Sequence, residues 1–398
     1  MSLLDAAERF ASMDRSAIVF DSERCLHSLD RNSACEACFN ICPVRAITPS
    51  KPPVLDSEKC ESCLACLTVC PVGAYKADDA VSSLLNAVTH VENKTLELIC
   101  AKNPQPEKGI SESSTGLRVK GCLAGLGAGT YLALAAFGLD RIITRTESCS
   151  ACEWASLRPQ IDSQIEHAAH FLAAWNKNET ITSLSSSDGF VERIAWNAEN
   201  PPLSRRDLFR MMARQGQVAM ARAMENGEHT TGHRPGRDRT RMLGAITHLD
   251  APQNESTVDV SEFGFATVTI GETCTACGAC GRACPTSALQ FEKDEDNTTF
   301  ALKFSAGNCI GCDLCAHVCA PASVTVNHAP TFAQIFDEEQ VTLREGELVK
   351  CERCGSLMAK RGDARLCDLC EYRRTHPFGS VMPPGFNGGQ FKAPEARR

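Results

Sequence analysis

The chain has 398 residues, 24 of them cysteine, and a formal charge of −8 from 41 basic and 49 acidic side chains. So many thiols over a length sufficient for roughly two to four domains exclude a small disulfide-stapled scaffold, and net acidity argues against a nucleic-acid binder that relies on counterion release. The opening stretch MSLLDAAERFASMDRSAIVF carries Asp5, Glu8 and Asp14 and has no continuous apolar core of an export leader. The expectation is a cytoplasmic protein whose thiols bind metal or clusters.

The first cysteine group is Cys25, then Cys35, Cys38 and Cys42 followed by Pro43; the second is Cys60, Cys63, Cys66 and Cys70 followed by Pro71. The second reads C-x2-C-x2-C-x3-C-P throughout. Three thiolates on one tight loop can wrap three corners of an iron–sulfur cube while the fourth corner is reached from elsewhere. A tetrahedral zinc ion has no use for such crowding.

Residues 17–80 resemble the bacterial-type 2[4Fe-4S] ferredoxin (polyferredoxin) family, including the PVRAI and PVGAY segments after each fourth cysteine. The resemblance implies that the fourth cysteine of each run serves the other cluster. One cube then takes Cys25, Cys35, Cys38 and Cys70, and its companion Cys60, Cys63, Cys66 and Cys42. The departure from the family is LHSLDRNSA, which separates Cys25 from Cys35 where the family usually has two residues.

Cys100, Cys122, Cys149 and Cys152 form no tight motif. Cys100 ends the strand-like LELIC, Cys122 ends LRVKGC, and Cys149 with Cys152 follows RIITRTES, with the helical pattern YLALAAFGL between the second and third strands. This alternation predicts an α/β unit whose thiols converge beyond the carboxyl ends of parallel strands. The uncharged run Gly121 to Leu139 is about as long as a bilayer span, but its glycines favour a buried turn and helix. Residues 92–178 resemble the iron–sulfur delta subunit of methyl-viologen-reducing hydrogenases and heterodisulfide reductases, on the VKGC strand, the helix closing in FGLDRII and the final Cys-x-x-Cys. The resemblance implies a [2Fe-2S] cluster on the four thiols; a redox dithiol or buried structural cysteines are the other readings of the residues.

Residues 179–258 read as a linker, with an amphipathic helix near 204–225 and a polar, glycine- and proline-broken stretch beyond it. SRRDLFR, Ser204 to Arg210, imitates a twin-arginine export signal, but it sits mid-chain with no apolar run after it. Its bland reading is a helix packed on a neighbouring domain.

The cysteine pattern then returns over 259–330. Cys274, Cys277, Cys280 and Cys284 are followed by Cys309, Cys312, Cys315 and Cys319, and FATVTI and TFALKFS read as the strands before each loop. By the same exchange the resemblance implies one cube on Cys274, Cys277, Cys280 and Cys319, and one on Cys309, Cys312, Cys315 and Cys284. Residues 345–375 hold two C-x2-C knuckles, Cys351 with Cys354 and Cys367 with Cys370, which suit a closed four-thiolate site for zinc or a single iron. The tail 376–398 has the composition of a disordered segment.

The expected architecture is α+β and multidomain: two ferredoxin-like 2[4Fe-4S] modules flanking a small α/β parallel-sheet cysteine domain, with a zinc-ribbon-like knuckle after them. No dinucleotide, P-loop, metalloprotease or nucleophile-elbow motif accompanies the clusters. The expected role is a non-catalytic electron-transfer subunit in a hetero-oligomer with an oxidoreductase, without nucleic acid or a transmembrane span. A thiol–disulfide or sulfur-transfer reductase using the middle dithiol, and a cluster-bearing sensor or scaffold, are the competing readings.

Overall fold

The computed structural model describes residues 18–30, 33–77, 81–201, 233–255, 258–336 and 340–376. Helix and strand are mixed throughout, in two compact units, Met1–Phe263 and Gly264–Arg398.

The first unit opens with β1 (Val19–Phe20), α1 (Ala37–Ile41), β2 (Ile47–Thr48), β3 (Val54–Leu55), α2 (Ala65–Val69) and β4 (Tyr75–Lys76). β1 pairs antiparallel with β4, and β2 with β3. One ribbon thus joins the strand before the first cysteine run to the strand after the second, and the other joins the two inner strands. This pairing brings the end of each run beside the beginning of the other.

After α3 (Val81–Val88) come β5 (Thr95–Ile99), β6 (Lys108–Gly109), β7 (Thr115–Arg118), α4 (Ala128–Ala136), β8 (Arg141–Arg145), α5 (Arg158–Leu172), β9 (Ile181–Leu184), β10 (Val191–Glu192) and β11 (Ala195–Asn197). Five of the strands form a sheet in the order β11-β7-β5-β8-β9, every neighbour parallel. Both edge strands of this sheet lie beyond residue 178. β9 and β11 are short and partly polar, so their alternation carries little signal. Residues of α4 are buried on every side, which explains the uncharged run as core. Among the described residues, no helix is long and apolar enough to cross a membrane.

The sheet encloses an ionic centre. Glu97 accepts from Arg145 Nη1 at 2.9 Å and from Arg193 Nε and Nη2 at 3.1 Å each, with all three side chains at most 1% exposed. Burial raises the Glu97 carboxyl, but hydrogen bonds from Arg193 and Ser114 outweigh it and hold it below its ordinary value.

Part of the stretch expected as a mobile linker is helical: α6 (Arg237–Ile246) packs on α4. Asp238 accepts hydrogen bonds from the Gly129 and Thr130 amides at 3.0 and 3.2 Å, capping the start of α4 from a distant part of the chain. A Cβ on Gly127 would lie 2.3 Å from the Asp238 carboxyl carbon, and one on Gly129 2.0 Å from the Asp238 carbonyl oxygen. Gly127 and Gly129 therefore serve the close approach of the two helices. Just before α6, the Gly236 amide donates to Pro71 O at 2.9 Å and Arg237 Nη1 to Ala77 O at 2.7 Å. The segment straps the thiol module and the sheet together. The helix expected near 204–225 lies outside the described residues.

The second unit repeats the ribbon logic. β12 (Thr267–Ile270), α7 (Ala279–Ala283), β13 (Leu289–Lys293), β14 (Thr299–Phe304), α8 (Leu314–His317) and β15 (Val324–Asn327) pair as β12 with β15 and β13 with β14. β16 (Val341–Lys350) then pairs with β14, and β17 (Leu357–Ala359) with β16. The knuckle closes with α9 (Asp368–Thr375). It shares a sheet with the second cysteine module, although its sequence reads as a separate piece.

Candidate metal centres

None of the cysteines is in a disulfide. In three of the four tight runs the chain passes through two left-handed residues beside the second cysteine: Ser62 and Leu64, Ala276 and Gly278, and Gly311 and Asp313, with φ from 53° to 68°. Such a path turns successive amides toward one side, forming a concavity that suits an anionic centre. Four of these six residues are not glycine, so the conformation is held by its surroundings against its local cost.

A second device closes every run. Three residues after the last cysteine the backbone is again left-handed, at Arg45, Gly73, Ser287 and Ala322. The turn aims an amide back at that sulfur: Ala46 N to Cys42 Sγ at 3.2 Å, Ala74 N to Cys70 Sγ at 3.2 Å, Leu289 N to Cys284 Sγ at 3.5 Å and Ser323 N to Cys319 Sγ at 3.3 Å. The PVRAI and PVGAY segments owe their shape to this bond.

The thiols gather in crossed sets. Burial raises the Cys25 thiol, with Cys38 and Cys35 adding to it, and burial pushes Cys70 up to about 11, with Cys35 and Cys38 as its charged neighbours. Burial likewise pushes Cys63 up to about 11, beside Cys42 and Cys60, and raises Cys66 beside Cys63, Cys60 and Cys42. In the second unit burial raises Cys280 to about 11 and Cys315 to about 12. Cys274, Cys277 and Cys319 surround the former; Cys309, Cys312 and Cys284 surround the latter most closely. A buried cluster of thiols with amides aimed at sulfur is a poor home for free thiolates and fits thiolates neutralised by iron.

The insertion after Cys25 is not slack. Leu26–Leu29 forms a turn of helix, and buried His27 donates through Nε2 to Cys35 O at 2.7 Å. That bond crosses the enlarged loop and returns Cys25 to the neighbourhood of Cys35 and Cys38.

The four middle thiols also converge. Cys100 directly follows β5, Cys122 lies beyond β7, and Cys149 and Cys152 lie beyond β8, all at carboxyl ends of the parallel sheet. With Lys102 and Trp154 they line a cavity of about 410 Å³. Burial pushes Cys122 up to about 12, with Cys100, Cys63 and Cys149 adding, and pushes Cys149 up to about 11, with Cys100 next. Cys63 belongs to the first module. There the backbones meet closely: a Cβ on Gly125 would lie 2.9 Å from Leu64 Cβ and 3.6 Å from Cys63 O, and one on Gly121 3.4 Å from Ser62 O. Trp154 Nε1 donates to Glu61 Oε2 at 2.8 Å across the same seam, with Lys102 Nζ 3.6 Å from the Trp154 ring centre.

At the knuckle, the Cys351, Cys354, Cys367 and Cys370 sulfurs lie within 4.8 Å of one another, a set that could hold one metal ion. Amides of Cys367 and Cys354 hold the Cys351 thiol down to about 6; the Cys367 amide is 3.3 Å from Cys351 Sγ. Met358 packs among Cys351 and Cys370, and the Ala359 amide donates to Thr275 O at 3.1 Å, tying the knuckle to the Cys274 loop.

Sequence reasoning overlooked His27, Trp154, Asp238 and the buried Glu97 centre. Only His27 leaves a local trace, as a histidine in an insertion between ligand cysteines; the others depend on partners far along the chain.

Comparison with known proteins agrees with the geometry of the two modules. No curated protein matches the chain. Residues 33–74 and 273–323 each match the 4Fe-4S dicluster domain. The first match begins after Cys25, where the insertion interrupts the family spacing. The chain therefore carries two ferredoxin-like dicluster regions, which imply [4Fe-4S] clusters and an iron–sulfur electron-transfer role.

Proposed function

We propose that this protein is a subunit that relays electrons between a redox donor and a partner oxidoreductase, of the hydrogenase, formate dehydrogenase or heterodisulfide-reductase-like kind, in a cytoplasmic hetero-oligomer. The four crossed thiol sets would hold four [4Fe-4S] clusters. Cys100, Cys122, Cys149 and Cys152 would hold a [2Fe-2S] cluster, as the resemblance of residues 92–178 to the hydrogenase delta subunit implies. The clusters supply one-electron redox chemistry, and the chain supplies ligation, exclusion of water and amides aimed at sulfur. The observation that supports the reading is the close approach of the loop carrying Cys122 to the Cys60–Cys66 loop, which would let the middle site continue the first module. Acidity of the whole chain, increased by thiolate ligation, calls for a basic docking face on the partner. The knuckle would hold structural zinc, since four thiolates close the site and its core is shared with a sheet.

The cavity beside Cys149 and Cys152 favours one alternative, a thiol–disulfide or sulfur-transfer reductase fed by the dicluster regions. Substituting Cys152→Ser separates the two. Loss of a [2Fe-2S] electron paramagnetic resonance signal, with the [4Fe-4S] signals intact, supports the relay. Loss of dithiol reactivity with every cluster signal unchanged contradicts it.

A further inference from the structure

The position five residues after the last cysteine of a run is Ile47, Tyr75, Leu289 and Val324 in the four runs in chain order. Three are aliphatic and one carries a hydroxyl. Tyr75 is 3% exposed, its ring sits 4.9 Å from that of Phe20 across the β1–β4 ribbon, and its hydroxyl oxygen has no hydrogen-bond partner of good geometry in the protein. The groups around it are thiols: Cys38 foremost, then Cys66 and Cys70. The hydroxyl is a buried donor directed at ligand sulfur, Cys38 first.

We propose that the Tyr75 hydroxyl donates a hydrogen bond to the sulfur shell of the cluster on Cys25, Cys35, Cys38 and Cys70, and raises that cluster's reduction potential above that of its module companion. The proposal rests on the cluster assignment made above. Reduction adds negative charge to the sulfurs, so a donor aimed at them stabilises the reduced form more than the oxidised one. Tyr75 is a positioning and tuning residue; it takes no electron itself. The equivalent positions Ile47, Leu289 and Val324 carry no hydroxyl; in the second unit Thr286 Oγ1 lies 3.7 Å from Cys284 Sγ and can act similarly there. In the first module the asymmetry gives direction: electrons rest on the Tyr75 side and return uphill to reach the Cys63 side and the middle site.

The test is Tyr75→Phe in the full-length, anaerobically purified protein, followed by a redox titration monitored by electron paramagnetic resonance. The variant keeps the ring and removes only the donor. Iron and sulfide contents are measured first; a protein without clusters overturns the assignment, whereas equal loading in both proteins isolates the hydroxyl. The expected result is a lower potential for one first-module cluster. Its reduced-to-oxidised ratio at fixed potential should fall about tenfold, or about 59 mV for one electron, with the second unit's clusters unmoved. A Cys35→Ser background, which alters the signal of the cluster concerned, identifies which one shifts. Unchanged potentials, or an equal shift in all clusters, overturn the proposal.

Discussion

The two dicluster regions share their ribbons, their left-handed turns and their crossed thiol sets, yet they are built into different surroundings. The first lies against a parallel sheet bearing four more thiols, with Gly121 and Gly125 admitting the Cys60–Cys66 loop to close approach. The second extends its own antiparallel sheet through β16 into a four-cysteine knuckle. One region continues toward a second gathering of thiols; the other is braced. The shared cysteine motif, kept despite the insertion between Cys25 and Cys35, therefore sets the local cage and leaves the route beyond it to residues outside the motif.

The largest effect should follow from the sheet that carries the middle site. Glu97→Ala leaves Arg145 and Arg193 buried without their shared partner, and a loss of about 3–5 kcal/mol in chemical denaturation of the first unit is expected, with the second unit's transition unaffected. The same centre predicts a pH dependence. Because the Glu97 carboxyl is held below its ordinary value in the folded state, its contribution is present above the unfolded carboxylate range and is lost as pH falls through the folded value. Denaturation midpoints of wild type across that acid range should converge with those of Glu97→Gln.

A smaller effect is expected at the strap. Asp238→Ala removes the cap from the Gly129 and Thr130 amides and should cost about 0.5–2 kcal/mol, read as hydrogen-exchange protection lost along α4. Gly125→Val sharpens the comparison differently, since its Cβ would meet Leu64. It should weaken the magnetic interaction between the middle centre and the first module while iron content stays constant; unchanged coupling would disconnect the two sites. Smallest is Lys360→Ala in the braced region, where the pair with Glu347 is solvent-exposed and screened, and thermal scans should barely register it.

Much of the site was legible because ligand chemistry restricts spacing. C-x2-C-x2-C-x3-C-P implies the cage, while the crossing of Cys70 and Cys42 is what the ferredoxin resemblance implies; in the structure Cys70 has Cys35 and Cys38 among its neighbours, and Cys63 has Cys42. The parallel sheet was legible from strand, thiol and helix alternation as far as β8. Its edges were not, because β9 and β11 are short and only partly buried. The glycines in the uncharged run Gly121 to Leu139 favour a buried turn, but only the arrival of Asp238, more than a hundred residues later, reveals why Gly127 and Gly129 are needed. Tyr75 closes the PVGAY segment, and its hydroxyl acquires meaning only when the fold brings Cys38, Cys66 and Cys70 near it.

The central claim is that these thiols hold iron and sulfide, with the middle set continuing the first module. Metal and sulfide analysis of anaerobically purified wild type and Cys122→Ser tests it most directly. The account predicts about 18 iron and about one zinc per chain in the wild type, falling to about 16 iron in the variant with the zinc unchanged. Folded wild-type protein without iron, or a variant with the same iron content as wild type, would contradict it.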